Sequence, residues 1–401
     1  MSTVVSAPAS APRVVLPPAR PPGYYVRQRL LQNRPAMAGL AFIVLCTLIA
    51  LAGYWVLPDD SPDANNGIVQ LQKEAPGFAA TILKLPLAES SRTATADNPL
   101  TVWLRGREPR FQETPISSYQ LSGDSVLVAP YRNHSALADQ PRRYSLAQVA
   151  GYPGPTETLR RTVAAERIIR RTYWLGTDKA GRDELSRLLL GTRISLGIGL
   201  VAVLISLALG MAIGAVAGYV GGWVDSLLLG LMTVVWSIPG IMLVIAISLA
   251  LDSKGVWTSF VAVGLTMWVD VARVVRGQML SLRATTFVEA GRVLGLSQTR
   301  LIVRHLLPNM TGPLIVIATS NFAAAILLEA GLSFLGLGVQ PPAPSWGLMV
   351  NEGFQLLGTE AGLWLTLLPG LAISLLVLSF NLLGNGLRDA YDPKTLLSTK
   401  T

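Results

Sequence analysis

Few side chains in this 401-residue chain are of the types that carry out chemistry. One cysteine (Cys46) and two histidines (His134 and His305) are too few for an internal disulfide or a His/Cys metal site. None of the lysines follows a glycine, so the Gly-Lys-Ser/Thr sequence of a phosphate-binding loop is absent. Nucleophile-elbow and zinc-hydrolase motifs are also absent. The chain by itself therefore predicts no catalytic residue, no bound cofactor and no metal.

Two residues in apolar parts of the chain suggest a transport pathway. Glu329 is an acid inside an apolar run, and an ionisable residue within a membrane span is a functional candidate by default. At 1.5 Å per residue it lies about 25 Å from the start of that run, near the outer face. There it either contacts a substrate or, as we favour, forms a structural pair. Pro239 removes a backbone hydrogen bond and predicts a kink in its helix.

The composition places these residues in a membrane protein. Hydrophobic residues make up 51% of the chain and charged residues only 14%, with a mean hydropathy of +0.45. A soluble domain has about 25% charged residues, so this chain cannot cover a water-facing surface. The net charge of +9 then indicates membrane topology rather than nucleic-acid binding. A soluble enzyme is excluded.

The apolar runs predict an all-α polytopic fold with six transmembrane helices. Residues 1–35 are rich in Pro and Arg and predict a disordered cytoplasmic tail, and residues 36–57 form the first span. Residues 193–388 contain the other five spans, and 389–401 form a cytoplasmic tail. These five runs lie at 194–218, 226–251, 256–275, 312–335 and 361–383. Six crossings place both termini on the cytoplasmic side, together with the arginine-rich connection 276–311.

Residues 58–192 are polar and predict a mixed extracytoplasmic insert between the first two spans. Their arginines do not forbid export, because long loops cross the membrane largely regardless of charge. Short alternating runs at 100–104 and 125–128 predict strands. In the second span, Gly210, Gly214 and Gly218 share one face, which predicts close helix packing, either between subunits or, as we favour, within this chain.

The connection 276–311 has the pattern of two short helices joined by a glycine. Its sequence Glu-Ala-Gly-Arg-Val-Leu favours a helix that Gly295 ends or bends, and a second helix runs from Ser297 to Leu307. Such a pair is either a solvated amphipathic linker or a surface that presses into a soluble partner.

This connection resembles the EAA motif of ABC importer permeases, which forms the coupling helices that dock on ATPase subunits. Gly291 stands at the third motif position, and His305 replaces the usual aliphatic residue. Residues 175–187, 328–347 and 385–393 resemble segments of the C-type permease of the dipeptide/oligopeptide branch. The resemblance assigns ATPase coupling to Glu289, Ala290, Gly291, Gly295, His305, Leu307 and Pro308.

What the resemblance implies is half of a translocation pathway in a bacterial inner membrane. The implied partners are a companion B-type permease, two ABC ATPase subunits that carry ATP and Mg, and an extracytoplasmic substrate-binding protein. Residues 58–172 of the insert are not covered by the resemblance, and their aromatic and basic residues (Trp103, Arg107, Tyr119 and Tyr131 among them) predict either a docking surface for the binding protein or a lid.

Other functions remain open at this stage. Importers of nickel and other small solutes share these motifs, so the sequence does not choose the solute. A secondary transporter that needs no ATPase usually carries several ionisable residues in its spans and shows inverted repeats. A membrane-anchored interaction protein would need one span rather than six.

Overall fold

The computed structural model describes residues 22–87, 98–131, 140–252 and 255–392. Its helices in chain order are α1 (Pro22–Gln32), α2 (Arg34–Ala52), α3 (Pro99–Arg105), α4 (Leu146–Ala150), α5 (Thr156–Thr162), α6 (Glu184–Val220), α7 (Gly222–Trp236), α8 (Gly240–Ala250), α9 (Val256–Thr266), α10 (Trp268–Leu282), α11 (Thr286–Val293), α12 (Gln298–Leu301), α13 (Leu307–Asn309), α14 (Thr311–Phe334), α15 (Trp346–Phe354) and α16 (Glu360–Tyr391). Within these ranges, five helical segments are long and apolar enough to cross a membrane: α2, α6, α9 with α10, α14 and α16. A sixth exists if α7 and α8, which meet at 93°, form one broken span.

The direction of the helices shows that α7 and α8 together cross the membrane. Helix α6 packs on α9 and α10 in the parallel sense, since Gly197 faces Phe260, Gly210 faces Val271 and Gly218 faces Met279. Two parallel spans start on the same side, so the chain between them must return across the bilayer. The intervening α7 and α8 supply that crossing. The fold therefore has six spans, as the apolar runs predict.

The break between α7 and α8 lies at Pro239, where the sequence predicts a kink. Pro239 lacks the N–H that would continue the helix, and it stands as the N-cap of α8. Helix α7 ends at Trp236, with the Ser237 N–H donating to the carbonyl of Thr233. The prediction is confirmed, and the 93° angle makes it a break rather than a bend.

The three glycines of α6 form a seam with α10 of the same chain. The side of each glycine lies against α10 backbone or side chains, with Gly214 facing Val275 and Gly218 facing the Arg276 carbonyl. An added Cβ at either position would lie under 3 Å from those atoms. The seam is thus a contact within the chain, the alternative that the sequence favoured.

Both described ends of the chain meet at the end of the bundle that carries residues 283–310. Gly312 at the start of α14 contacts Tyr391 at the end of α16, and Gly386 contacts Ala36 at the start of α2. The Arg29 guanidinium donates to the carbonyl of Asp392 at 3.2 Å. Helix α16 therefore runs antiparallel to both α2 and α14.

The insert folds around an antiparallel sheet at the opposite end. Its strands are β1 (Phe78–Pro86), β2 (Phe111–Ser122), β3 (Ser125–Pro130), β4 (Arg142–Ser145) and β5 (Ile168–Tyr173). They pair in the order β4-β3-β2-β1-β5. Alternation places Leu83 against α4 and α5 on one face, and Ile82 against Leu71 on the other. Both faces are covered by this chain, so the insert has its own core.

Several features differ from the sequence-based predictions. Residues 22–32 form helix α1 rather than part of a disordered tail, and 1–21 lie outside the described residues. Helix α2 begins at Arg34 because Asn33 caps it and Pro35 occupies its first turn. Helix α6 begins at Glu184, capped by Asp183, so the last turns of the predicted insert belong to the second span.

The fourth difference is the run 100–104, which is helical in α3 rather than extended. Asn98 caps this helix by accepting from the Leu100 N–H, and Pro99 stands at its first position. The strand predicted at 125–128 is confirmed within β3. Helix α16 continues to Tyr391, so residues 389–391 belong to it rather than to the predicted C-terminal tail. The predictions for His134 and for 393–401 of that tail lie outside the described residues.

Candidate functional site

The segment between α10 and α14 folds as the helix–glycine–helix unit that the sequence predicts. Helix α11 ends in a Schellman motif: the Leu296 N–H donates to the Gly291 carbonyl and the Gly295 N–H donates to that of Arg292. Gly295 has φ +76°, a left-handed conformation that glycine adopts without steric cost. Ser297 then caps α12, and helical turns continue through Leu306 to α13. We call residues 283–310 the coupling segment.

The coupling segment is fixed to the membrane helices rather than tethered loosely. Val288 and Leu306 are fully buried in a cluster with Tyr219 of α6 and Met279 of α10. The Arg283 guanidinium donates to the carbonyls of Gly218 and Tyr219 at 3.0 and 3.3 Å. This bond joins the start of the segment to the C-terminal end of α6, where the last carbonyls lack helical partners.

The packing around Gly291 explains why a glycine stands at the third position of the EAA motif. It is buried, and the side where a Cβ would stand lies 2.7 Å from the Leu301 side chain. An added Cβ would require either a shift of the buried Leu301 side chain or a separation of α11 from α12. The glycine therefore allows a tighter pair of helices than alanine would.

The outer surface of the coupling segment is apolar at its tip and basic around it. Val293 and Leu294, the two residues that precede the Gly295 turn, are 87% and 79% exposed. Phe287 and Val303 are also exposed large apolar residues. Exposed basic residues surround this surface: Arg292, Arg300 and Arg304. Clustered apolar exposure with a polar rim is typical of a protein-interaction surface.

The structure places the predicted coupling residues in two groups. Glu289 and Ala290 are exposed on α11, where the Glu289 carboxylate lies in the first turn. Pro308 is exposed, His305 and Leu307 are partly buried, and the His305 carbonyl accepts from the Asn309 side chain. The first group is on the surface around the tip, and the second leads into α14.

A cavity of about 1090 Å³ opens beside the coupling segment. Residues from α7, α10, α14 and the end of α16 line it, and Pro308 and Asn309 form its edge. A second cavity of about 200 Å³ lies next to it, towards the break at Pro239, and shares Trp236 and Asp270 with it. Together they extend from the coupling segment to the middle of the bundle.

Glu329 has a structural environment. It is 1% exposed, and the Ser333 hydroxyl donates to its carboxylate at 2.7 Å. The same hydroxyl accepts from the Val339 N–H. Glu329 thus fixes the turn after α14, and it is not among the residues that line the two cavities. Its proposed contact with substrate stays a prediction.

At the opposite end of α6, four buried charged side chains form a network that sequence reasoning missed. The guanidinium of Arg182 lies 2.5 Å from the carboxylate of Asp178 and 3.2 Å from that of Glu352. The fully buried Arg187 lies 3.4 Å from Asp178 and 3.6 Å from Glu352. This group joins the insert to α6 and α15. Burial also raises the pKa of the neighbouring Asp183 carboxyl.

The residues of the insert singled out as a docking surface are partly occupied in holding it to the bundle. The Trp103 indole donates to the Leu51 carbonyl, and the Arg193 guanidinium stacks on its ring at 4.7 Å. Arg107 pairs with Asp60 at 3.2 Å. Tyr131 donates to Glu74, while Tyr119 is 45% exposed on β2. Of these, Tyr119 presents its ring outward.

Comparison with known proteins matches most of this fold to described families. Residues 210–397 match a family described as the inner membrane component of binding-protein-dependent transport systems. Residues 22–76 match the N-terminal transmembrane domain of oligopeptide transport permease C. That second match reaches into the insert, further than the resemblance seen in the sequence.

This chain matches most of the length of several individual relatives. The oligopeptide transport system permease protein OppC of Salmonella typhimurium is 46% identical over 222 residues, which are 55% of this chain and 72% of that protein. The glutathione transport system permease protein GsiD of Pectobacterium atrosepticum is 42% identical over 222 residues, 55% of this chain and 73% of that protein. The dipeptide transport system permease protein DppC of Bacillus subtilis is 38% identical over 252 residues, 63% of this chain and 78% of that protein.

Among solved structures, inward-facing conformations of the MetNI methionine ABC transporter match 52% of this chain and 98% of that chain. The TM-score is 0.43 and the identity 18%, a likeness too distant to support an argument.

Proposed function

Because the chain belongs to the family of inner membrane components of binding-protein-dependent transport systems, we propose that it is the C-type permease of an importer of short peptides. The observation that carries the proposal is the shared substrate chemistry of its relatives. Permeases of oligopeptide, glutathione and dipeptide systems match it at 38–46% identity, and their substrates are all peptides.

A multi-pass inner membrane protein of this family works with other subunits, namely a partner permease, an ATPase and a binding protein. In the proposed complex the partner is a B-type permease, and two ABC ATPase subunits bind ATP and Mg and carry out hydrolysis. The exposed apolar tip at Val293 and Leu294 supports ATPase docking on the coupling segment. The surrounding arginines favour an acidic cleft on that partner.

The proposed orientation places the coupling segment and both termini in the cytoplasm. Arginines concentrate at that end, on α1 and on the coupling segment, as expected for cytoplasmic flanks of spans. The test is cysteine labelling in a variant without Cys46. A cysteine at Arg292 should react only after the membrane is permeabilised, whereas one at Ser122 in the insert should react from outside. External reaction at both positions would contradict this orientation.

The proposed mechanism follows from the rigid attachment of the coupling segment. ATP-driven closure of the ATPases would bring the two permeases' coupling segments together. In this chain the Arg283 bonds to Gly218 and Tyr219 would carry that displacement into α6. The paired permeases would then open outward to accept substrate, and hydrolysis would reset them. No step requires a catalytic group on this chain.

Uptake by the reconstituted complex tests the function. Proteoliposomes that contain both permeases, the ATPases and the binding protein should accumulate a labelled dipeptide, an oligopeptide or glutathione in an ATP-dependent manner. Omission of the binding protein should abolish this uptake. ATP-driven uptake of Ni²⁺ with no uptake of any peptide would contradict the peptide assignment while leaving the family assignment intact.

A further inference from the structure

Asp270 is an acid near the middle of a helical span and belongs to no ion pair among the described residues. It lies in the first turn of α10, about 20 Å from either end of the span Val256–Leu282 at 1.5 Å per residue. Its side chain is exposed and lines both cavities. A carboxylate at this depth is costly against lipid and is expected to face water, a ligand or another subunit.

Arg273 provides a positive charge one turn further along the same helix. Its guanidinium lies over the Trp236 ring at 4.5 Å, and one terminal nitrogen is 3.4 Å from the Thr233 hydroxyl. Its Nε is buried and has no hydrogen-bond partner within the part of the chain that the structure describes. The stacked ring holds the guanidinium at the cavity wall while leaving donors unused.

Asn321 adds an amide to the same wall. It lies on α14, is only 5% exposed, and lines the larger cavity. Its Nδ2 has no hydrogen-bond partner among the described residues. A buried amide without a partner is unfavourable unless a water or ligand satisfies it. Two helices, α10 and α14, thus bring an acceptor, a cation and an unused amide donor to one cavity.

These groups complement the chemistry of a peptide main chain. A carboxylate pairs with an ammonium group, and guanidinium and amide donors pair with carbonyl or carboxylate oxygens. The volume of about 1090 Å³ is large enough for several amino-acid residues. The cavity presents only a few fixed polar groups, so peptide side chains of varied shape can be accommodated in it.

We propose that Asp270, with Arg273 and Asn321, forms a transit site in which the Asp270 carboxylate binds the free amino terminus of a peptide. The site rests on the proposed peptide-import function and assigns that function a point of recognition inside the permease. Recognition of the main chain and its terminal charge, rather than of side chains, suits a pathway for peptides of many sequences.

Photolabelling of the whole complex tests the site directly. The complex of both permeases and ATPases, in lipid nanodiscs without binding protein, is irradiated with photoleucyl-alanine, a dipeptide with a free amino terminus. Labelled sites are mapped by mass spectrometry. Competitors are alanyl-alanine and its N-acetylated form, and the variants are Asp270→Asn, Asp270→Glu and the control Glu360→Gln, an exposed acid at the start of α16.

The expected result is labelling within α7 or α10 that alanyl-alanine suppresses at a concentration about tenfold lower than the N-acetylated dipeptide. Tenfold is the size expected for loss of one charge-assisted hydrogen bond. Asp270→Asn should remove this difference and reduce labelling at least fivefold. Asp270→Glu and Glu360→Gln should keep both.

Three outcomes would overturn the site. Equal competition by the two dipeptides would show that the amino terminus is not recognised. Unchanged labelling in Asp270→Asn would show that its carboxylate is not involved. Loss of the companion permease from the purified Asp270→Asn complex would assign Asp270 to a subunit contact. ATP-driven peptide uptake measured on the same wild-type complex separates these outcomes from failure of the import function itself.

Discussion

The surroundings of the two ends of α6 are opposite in character. At its N-terminal end, around Glu184, charged side chains are buried and form ion pairs with one another across the insert, α6 and α15. At its C-terminal end, apolar side chains of the coupling segment are exposed at Val293 and Leu294. The charges at the first end are paired within this chain, whereas the exposed apolar side chains at the second form the proposed docking surface for an ATPase. Stability and function should therefore respond to mutation at different ends.

The largest loss of stability is expected from Arg187→Ala at the N-terminal end of α6. Arg187 is fully buried between Asp178 and Glu352, so its removal leaves two buried carboxylates without that cation. Such a loss costs about 3–5 kcal/mol. Thermal unfolding of the purified complex measures it. Arg161→Ala is the matched control, because Arg161 pairs with Glu157 on the surface and the pair is worth about 1 kcal/mol or less. Similar melting temperatures for the two variants would refute the contrast.

The next largest effect is expected from Gly214→Val in the seam between α6 and α10. The added side chain would meet Ala272 and Val275, and overpacking of this kind costs about 1–3 kcal/mol. Gly230→Val is the control, since nothing lies within 4 Å of the side of Gly230 where a Cβ would stand. The comparison uses thermal unfolding and the amount of protein in the membrane. Equal behaviour of the two valine variants would mean that the seam does not constrain the helices.

A smaller effect with a sign change is expected for glycine-to-alanine substitutions near the coupling segment. Gly295→Ala forces a side chain into a left-handed conformation and should destabilise by about 1 kcal/mol. Gly277→Ala, in the open face of α10, should instead stabilise by about 0.5–1 kcal/mol. Chemical denaturation of the purified protein can resolve both. Destabilisation by both variants would contradict the assigned turn geometry.

The smallest effect on stability, with the largest on function, is expected from Leu294→Ser at the tip of the coupling segment. Leu294 is 79% exposed, so the change should alter stability by no more than about 0.5 kcal/mol. Co-purification of the ATPases and peptide uptake should nevertheless fall sharply. Leu100→Ser, at an exposed position on α3 in the insert, should leave ATPase binding intact. Normal ATPase binding by Leu294→Ser would remove the tip from the docking surface.

The sequence predicts those features that depend on local pattern. Apolar runs locate the six spans, Pro239 locates the break, and the glycine before Ser297 locates the turn of the coupling segment. Hydropathy and turn chemistry act over a few residues, so one sequence is sufficient to detect them. The β-strand error at 100–104 shows the limit, because a five-residue apolar run fits helix and strand equally well.

Features that depend on distant residues could not be predicted. Arg182 and Glu352 are 170 positions apart and meet only through the fold. The apolar pattern singles out Glu329, and not Asp270, as the acid inside a span. Only the continuation of the helical span through α10 to Leu282 places Asp270 near its middle. Its carboxylate and the cavity around it are therefore findings of the structure.

The length of α6 has a mechanical consequence. Its 37 residues extend about 55 Å, further than the hydrocarbon thickness, in one helix without an internal break. Arg283 holds one end through backbone carbonyls, and Arg187 anchors the other in the buried charges. A tilt of about 5° at the coupling end would displace the far end by about 5 Å at this length. The insert is attached to that far end and would move with it. A movement of the coupling segment on one face of the membrane would therefore displace the insert on the other face.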